Sequence, residues 1–233
     1  MKHNTHHVFT NYIGVDADIE NDPVFHLFHP EEKDDTLFRK MQHWYFVPVA
    51  SLLYFSWRTQ SMMNALQTRQ YKELTFFVFN YIWLYNLGWA VALGSIYFGG
   101  MLVALIVTAT HQSEEMVDVG AGPTADGAAS ESSPSVPEHY SFCEGQFATT
   151  RDAITSDFFT EWVWGGMQYQ LEHHLFPTMP KYYYSRVAPM VKAWAAENGM
   201  DYRADTQCQI WARNFQTLKH FAGDKKQQAK KAQ

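Results

Sequence analysis

The chain has 233 residues, a formal net charge of −6 and two cysteines, Cys143 and Cys208, which form no CxxC pair. A net negative charge argues against nucleic acid as the main partner, and two distant cysteines give no sign of a zinc finger or a disulfide framework. Aromatic residues make up 16% of the chain, and its apolar residues are concentrated in one block, which is typical of membrane segments joined to polar loops.

The first element is a histidine cluster at the start of the chain. His3, His6 and His7 stand at positions i, i+3 and i+4, so on a helix they share one face. Imidazole is a ligand for iron, copper, nickel and zinc, and this face is therefore a candidate metal site. The sequence starts two residues before such a site, which leaves nothing upstream to hold the segment. We therefore expect an incomplete chain, in which Met1 is either an internal methionine or an artificial boundary.

Residues 8–43 are polar and rich in turn residues, and a short helix is predicted at 36–43. We expect this region to be a loop outside the bilayer. Three apolar segments follow, at 44–57, 75–87 and 89–109. A membrane span needs about 20 helical residues. The first segment has only 14 and contains Pro48, so we predict an interfacial helix there, anchored by Trp44 and Trp57.

The loop after this interfacial helix indicates on which side of the membrane it lies. Residues 58–73 carry two arginines and a lysine, and basic loops prefer the cytoplasmic side. Two histidine clusters can share a metal site only if an even number of crossings separates them. We therefore predict an interfacial helix and basic loop over 44–74 and a transmembrane hairpin over 75–110, with its turn near Gly94 or Gly99.

A low-complexity tract separates the hairpin from the rest of the chain. Residues 112–148 contain a run of Gly, Ala, Ser and Pro with acidic residues around it. Such a segment buries too little apolar surface to offset its ordering entropy, so we predict a disordered loop.

The remaining segment, 149–222, is predicted to be helical. Helices are expected at 156–171, at 180–198 with a break or bend at Pro189 and a stop at Gly199, and at 205–221. The last two have an amphipathic pattern. The basic residues at 223–233 are most simply a solvated tail.

A second histidine cluster lies at the end of the first of these helices. Gln170, His173 and His174 repeat the spacing of the first cluster within an apolar and aromatic run. Buried neutral histidines need partners for both ring nitrogens, and a metal ion is one such partner. For either cluster alone, chance, a tag scar or core histidines bonded to backbone carbonyls are alternatives. Two clusters of matching spacing beside a membrane hairpin favour one shared metal site.

Both clusters resemble motifs of the front-end fatty acid desaturases, membrane enzymes that commonly carry a fused cytochrome b5 domain. Residues 3–7 resemble the second histidine box of that family. Residues 170–174 resemble the third, in which glutamine replaces the first histidine. The likeness continues through the stretches at 11–23, 57–61, 149–151, 177–180 and 211–214.

The resemblance implies an all-α membrane protein, in which a transmembrane helical hairpin carries a cytosolic helical cap with the histidine boxes. It implies two iron ions bound by His3, His6, His7, His111, His173 and His174. His111 matches a further histidine after the family's final helix, and a helix C-terminal cap is its alternative role. Gln170 is expected to be a weak ligand, or to bond a water or a ligating histidine. Asp16 and Asp18 match acidic residues after the second box. Their carboxylates are expected either to cap a turn or to bond a ligand histidine.

By the same resemblance, the iron centre uses dioxygen to introduce a cis double bond into a polyunsaturated acyl chain carried on lipid or coenzyme A. Electrons are expected from cytochrome b5, fused or separate, and its reductase, at the endoplasmic reticulum membrane. The reacting carbons of an alkyl chain carry no polar group that an enzyme could bind. The depth of an apolar tunnel must therefore determine which carbons of the acyl chain reach the iron centre. Trp162, Trp164 and Tyr169 are candidate walls, with interfacial anchoring or core packing as alternatives.

The sequence also departs from the family pattern. These residues contain no first box, a His-x-x-x-His unit upstream of the second, and no haem-binding His-Pro-Gly-Gly motif. We therefore expect the chain to be the C-terminal half of a catalytic domain. The alternatives are a related di-iron lipid hydroxylase and an inactive truncated membrane fragment. A zinc hydrolase is disfavoured because Asn4 stands where a His-Glu-x-x-His motif would need its general base.

Overall fold

The computed structural model describes residues 2–21, 24–28, 35–112, 116 and 141–223. The helices are α1 (Lys2–Val8), α2 (Leu37–Lys40), α3 (Gln42–Ala50), α4 (Leu53–Gln67), α5 (Tyr71–Asn86), α6 (Trp89–Gln112), α7 (Phe142–Thr149), α8 (Phe158–Trp164), α9 (Gln170–Leu175), α10 (Tyr184–Glu197) and α11 (Gln207–Ala222). The strands are β1 (Asp152–Ile154) and β2 (Ala204–Thr206). The chain divides into two compact units. The histidine unit comprises 1–43 and 107–233, and the apolar unit comprises 44–106.

The apolar unit contains the helix best suited to a membrane. Among the described residues, α6 is the one helix long and apolar enough to cross a bilayer. Its 24 residues reach about 36 Å, against a hydrocarbon core of about 30 Å. Helix α5 has 16 residues, or about 24 Å. The helical character of the predicted hairpin is therefore confirmed, and membrane crossing by both of its helices stays a prediction.

The turn of this hairpin was predicted in the wrong place. It lies at Leu87 and Gly88, and Gly94 and Gly99 fall inside α6. Gly88 has φ +82°, a conformation that glycine adopts without the steric cost met by other residues. The helical run is therefore interrupted at this glycine, between α5 and α6.

The predicted basic loop at 58–73 is helical over most of its length, which is a second correction. Helix α4 runs through it to Gln67. The guanidinium carbon of Arg58 lies 4.5 Å from the ring centre of Phe77 on α5, within the range of a cation–π interaction. Arginine is a good helix former, so the charge of Arg58 is compatible with its position in α4. The predicted single interfacial helix at 44–57 is likewise divided between α3 and α4.

The histidine unit is mainly helical, but the all-α prediction missed its strands. β1 and β2 pair in parallel, with Asp152 opposite Ala204. Each strand has three residues, too few for an alternating pattern to be read from the sequence. This pairing joins the segment before α8 to the segment before α11.

The helix predicted at 156–171 is broken in the structure. Helix α8 ends at Gly165 (φ +60°), Gly166 follows with φ +102°, and the chain turns before α9 begins at Gln170. Left-handed glycines are common helix terminators. The break separates α9 from α8.

Helices α10 and α11 follow the predicted positions closely. Helix α10 contains Pro189 without ending there, and Gly199 follows it with φ +68°. A capping box of Thr206 and Gln209 starts α11. A core of Phe147, Leu171, Val191 and Ala195 packs α7, α9 and α10 together. Helix α9 is thus held by apolar contacts on one side.

Part of the predicted loop at 112–148 is also helical. Residues 142–148 belong to α7, which begins with a capping box of Ser141 and Glu144. This capping signal lies at the end of the loop and was missed. Residues 113–115, 117–140 and 224–233, which hold the low-complexity tract and nearly all of the basic tail, lie outside the described residues.

Candidate metal centre

Histidines from three distant parts of the sequence meet in the histidine unit. His6 and His7 come from α1, His111 from the end of α6, and His173 and His174 from α9. The ring centres lie 4.6 Å apart for His6 and His111, 5.1 Å for His6 and His174, 4.6 Å for His7 and His173, and 4.4 Å for His7 and His174. Both histidine clusters and His111 therefore line one site. The side chain of His3 lies outside the described part of the structure.

His6 is oriented by a buried carboxylate. Its Nδ1 donates to Oδ2 of Asp16 at 2.8 Å, and Asp16 also accepts from the backbone nitrogens of Asn11 and Asp18. Asp16 thus both caps the turn after α1 and bonds a histidine, so the two interpretations of its role are compatible. Because Nδ1 donates to the carboxylate, Nε2 of His6 points its lone pair toward His111.

His111 is oriented by the glutamine of the second cluster. The amide nitrogen of Gln170 donates to Nε2 of His111 at 2.8 Å, and the hydroxyl of Thr110 donates to the amide oxygen at 3.2 Å. Nε2 of His6 lies only 3.4 Å from the same nitrogen. In this arrangement the one in-plane lone pair of Nε2 of His111 accepts from Gln170, and Nδ1 of His111 is a buried ring nitrogen without a hydrogen-bond partner among the described residues.

His174 supplies a nitrogen that needs a partner. Its side chain is completely buried, and its Nε2 has no hydrogen-bond partner among the described residues. Leaving a buried polar atom unsatisfied costs about 1–3 kcal/mol. Burial, and then the neighbouring His111 and His7, hold the pKa of His174 well below its usual range. The imidazole is therefore neutral at physiological pH, which is the form that binds metals.

These observations together fit a bound transition metal. Ring nitrogens of His6, His111 and His174 all lie within 4.8 Å of one another, and all three residues are buried. Imidazole donors suit iron, copper, nickel and zinc. His173 stands beside them, with its Nδ1 3.3 Å from the hydroxyl of Tyr184.

Two buried polar residues that the sequence did not single out contact this cluster. The hydroxyl of Thr10 lies 2.9 Å from Nδ1 of His174 and 3.1 Å from the amide oxygen of Gln146. Gln146, on α7, donates to the backbone oxygen of His7 at 3.0 Å. The spacing of Thr10 four residues after His6 is a weak sequence signal for the first of these residues, and Gln146 has none.

An acidic cluster behind α9 was also missed. Oδ1 of Asp152 accepts from the backbone nitrogen of Leu171 at 2.9 Å, in the first turn of α9. The hydroxyl of Tyr202 lies 2.5 Å from Asp152 and 3.0 Å from Glu172. Burial, and then the charge of Asp152, raise the pKa of Glu172 to about 8. Burial also raises the pKa of Asp152, so both buried carboxyl groups hold a proton more readily than exposed ones.

The candidate tunnel residues lie in different environments. Trp164 is buried, stacks on Trp211 and donates to Gln207, as in ordinary core packing. Trp162 is 69% exposed, and Tyr169 is half-buried. An apolar cavity of about 500 Å³ adjoins the end of α9, and its lining consists of Phe142, Cys143, Leu175, Phe176, Val187, Met190, Val191 and Trp194. None of the three candidates lines this cavity.

Comparison with known proteins identifies the family in which this site occurs. The family model described as fatty acid desaturase matches residues 2–206. The chain is 33% identical to the Delta(6)-fatty-acid desaturase fat-3 of Caenorhabditis elegans, over 95% of this chain and 52% of the relative. It is 32% identical to the Delta(5) fatty acid desaturase fat-4 of the same organism, over 88% and 48%. It is 28% identical to fatty acid desaturase 3 of Homo sapiens, over 87% and 45%. The chain thus spans about half the length of these relatives. No solved structure matches it.

Proposed function

This chain belongs to the fatty acid desaturase family, and we propose that the protein containing it introduces a cis double bond into a polyunsaturated acyl chain. The acyl group is carried on a lipid or on coenzyme A. The observation that carries this proposal is the group of buried imidazoles formed by His6, His111 and His174. Such a donor set suits a redox metal at a site from which water is excluded.

The proposed cofactor is a pair of iron ions, held by His3, His6, His7, His111, His173 and His174. Bound by these residues, iron would supply the activation of dioxygen, and the protein would supply binding and orientation. Asp16 fixes the ring of His6, and Gln170 fixes the ring of His111. We assign Gln170 to positioning rather than to metal binding because its amide nitrogen already contacts a histidine.

The proposed electron donors are cytochrome b5 and its reductase, and the proposed location is the endoplasmic reticulum membrane with the histidine boxes facing the cytosol. This orientation is supported by Arg58, Arg69 and Lys72, since basic residues flanking membrane spans favour the cytoplasmic side. In this topology α5 and α6 both cross the bilayer. Local thinning of the bilayer accommodates the shorter α5.

The topology predicts a specific labelling pattern. A single cysteine at position 66, where Leu66 is 52% exposed at the end of α4, should react with a membrane-impermeant thiol reagent from the cytosol. A matched cysteine at position 87, in the turn between α5 and α6, should react only from the lumen. Cys143 and Cys208 are first replaced by serine. Labelling of position 66 only from the lumen would contradict the topology.

The role of Gln170 gives a graded prediction. Replacing Gln170 by alanine should lower product formation about 10 to 100-fold, the usual effect of losing a residue that orients a metal ligand. Gln170→His should not improve activity, because the imidazole cannot reproduce the amide bonds to His111 and Thr110. Product is measured in membranes that contain equal amounts of each protein. Complete loss of both product and bound metal in Gln170→Ala would instead make Gln170 a ligand.

Product analysis tests the activity itself. Cells expressing the full-length protein are fed a panel of polyunsaturated fatty acids, and their acyl chains are analysed by mass spectrometry. A product with two hydrogens fewer and one new double bond supports the proposal. A product with one added oxygen would identify a hydroxylase, and the absence of any product from accumulated protein would contradict both activities.

A further inference from the structure

The hydroxyl of Thr10 stands between three parts of the candidate metal centre. It lies 2.8 Å from the backbone oxygen of His6, 3.1 Å from Oε1 of Gln146 and 2.9 Å from Nδ1 of His174. Thr10 is completely buried and Gln146 is 1% exposed, so water does not substitute for these contacts. One hydroxyl thus joins α1 to residues 136 and 164 positions away in the sequence.

The direction of each hydrogen bond follows from counting protons. The amide nitrogen of Gln146 donates to the backbone oxygen of His7, which leaves its amide oxygen facing Thr10. The oxygens of Gln146 and His6 near the hydroxyl are acceptors only. The single proton of Thr10 must therefore point at one of them. If it pointed at His174 instead, its oxygen would face two other oxygens with no proton between them.

Because the proton of Thr10 is committed elsewhere, its oxygen accepts a hydrogen bond from Nδ1 of His174. A neutral imidazole that carries its proton on Nδ1 has its lone pair on Nε2. Nε2 of His174 is the buried atom without a hydrogen-bond partner among the described residues. The tautomer selected by Thr10 is thus the one that offers this nitrogen to a metal.

We propose that Thr10 and Gln146 are positioning residues that hold His174 in its metal-binding tautomer. This inference rests on the proposed function, in which His174 is an iron ligand. For Thr10 alone, a bond back to the carbonyl of His6 would be ordinary for a threonine at the end of a helix. Gln146 adds a second acceptor to that arrangement and ties it to α7.

The test compares iron retention in variants of the purified full-length protein during titration with an iron chelator. Thr10→Val keeps the shape of the side chain and removes the hydroxyl, and we expect iron retention to fall about 10 to 100-fold. Thr10→Ser keeps the hydroxyl and should restore most of the retention. Gln146→Leu should have a smaller effect than Thr10→Val, because His6 still accepts the proton of Thr10. Thermal unfolding of each variant separates a loss of metal from a loss of fold.

Several outcomes would overturn the inference. One is a folded Thr10→Val protein that retains iron as the wild type does, and another is a folded Thr10→Ser protein as defective as Thr10→Val. If Thr10→Val does not accumulate, Thr10→Ala carries the same expectation. His174→Ala separates this inference from the proposed function. If His174→Ala loses iron and Thr10→Val does not, only the positioning role fails, whereas a His174→Ala protein that keeps all of its iron removes the metal site itself.

Discussion

Replacing His174 by alanine in the full-length protein is expected to reduce product formation below detection and to release most of the bound metal. His174 lies at the centre of the cluster, within 5.1 Å of the ring centres of His6, His7 and His111. Alanine removes a coordination bond that no neighbouring side chain replaces. Membrane insertion should be unaffected, because α9 lies outside the apolar unit. Product is measured by mass spectrometry and metal by elemental analysis of the purified protein.

The matched control for this experiment is His220→Ala. His220 lies on α11, is exposed, and has a ring contact with Phe221. We expect this variant to retain normal activity and metal. A His174→Ala protein with wild-type product formation and metal content would refute the assignment of His174.

Replacing Asp152 by alanine is expected to cause the largest loss of stability among the polar residues behind α9. Asp152 is 4% exposed and accepts from the backbone nitrogen of Leu171 and from the hydroxyl of Tyr202. Alanine leaves the backbone nitrogen of Leu171 without its acceptor, at a cost of about 1–3 kcal/mol, while the hydroxyl of Tyr202 keeps Glu172 as an acceptor. The midpoint of thermal unfolding should therefore fall. Because α9 carries His173 and His174, metal retention should fall with it.

Asp201→Ala provides the comparison for Asp152. Asp201 is 79% exposed at its side chain and pairs with Arg203, and exposed ion pairs contribute about 0–1 kcal/mol. Its removal should leave the unfolding midpoint nearly unchanged. Equal midpoints for Asp152→Ala and the wild type would show that α9 is held by its apolar contacts alone.

The sequence was sufficient to locate most helices because their signals are local. The amphipathic patterns of α10 and α11 and the length of α6 were readable, and the structure confirms these helices. The predictions failed where tertiary contacts or single residues decided the outcome. Residues 58–73 were predicted to be a loop between apolar segments, but α4 continues to Gln67 and the charge of Arg58 packs on the ring of Phe77. The turn at Gly88 and the break at Gly165 depend on one φ angle each, which apolar periodicity does not encode.

The candidate site, too, was predicted only where its signals are local in the sequence. The histidine clusters were found because their spacing repeats along a helix face, and the structure brings those clusters and His111 together. Their binding of iron stays a prediction. Gln146 and Asp152 were not found because each is a single polar residue whose partner lies far away in the sequence. Only the packing of α7 and β1 against α9 reveals what they contact.

The central claim, that the histidine cluster binds iron for oxygen-dependent acyl chain oxidation, is tested most directly by elemental analysis of the purified full-length protein. The analysis is performed on the wild type and on His6→Ala. We predict two irons per chain in the wild type and a substantial loss of iron in the variant, because His6 contributes one of three buried ring nitrogens that lie within 4.8 Å of one another. One zinc per chain with no iron, or an iron content that His6→Ala leaves unchanged, would contradict the account.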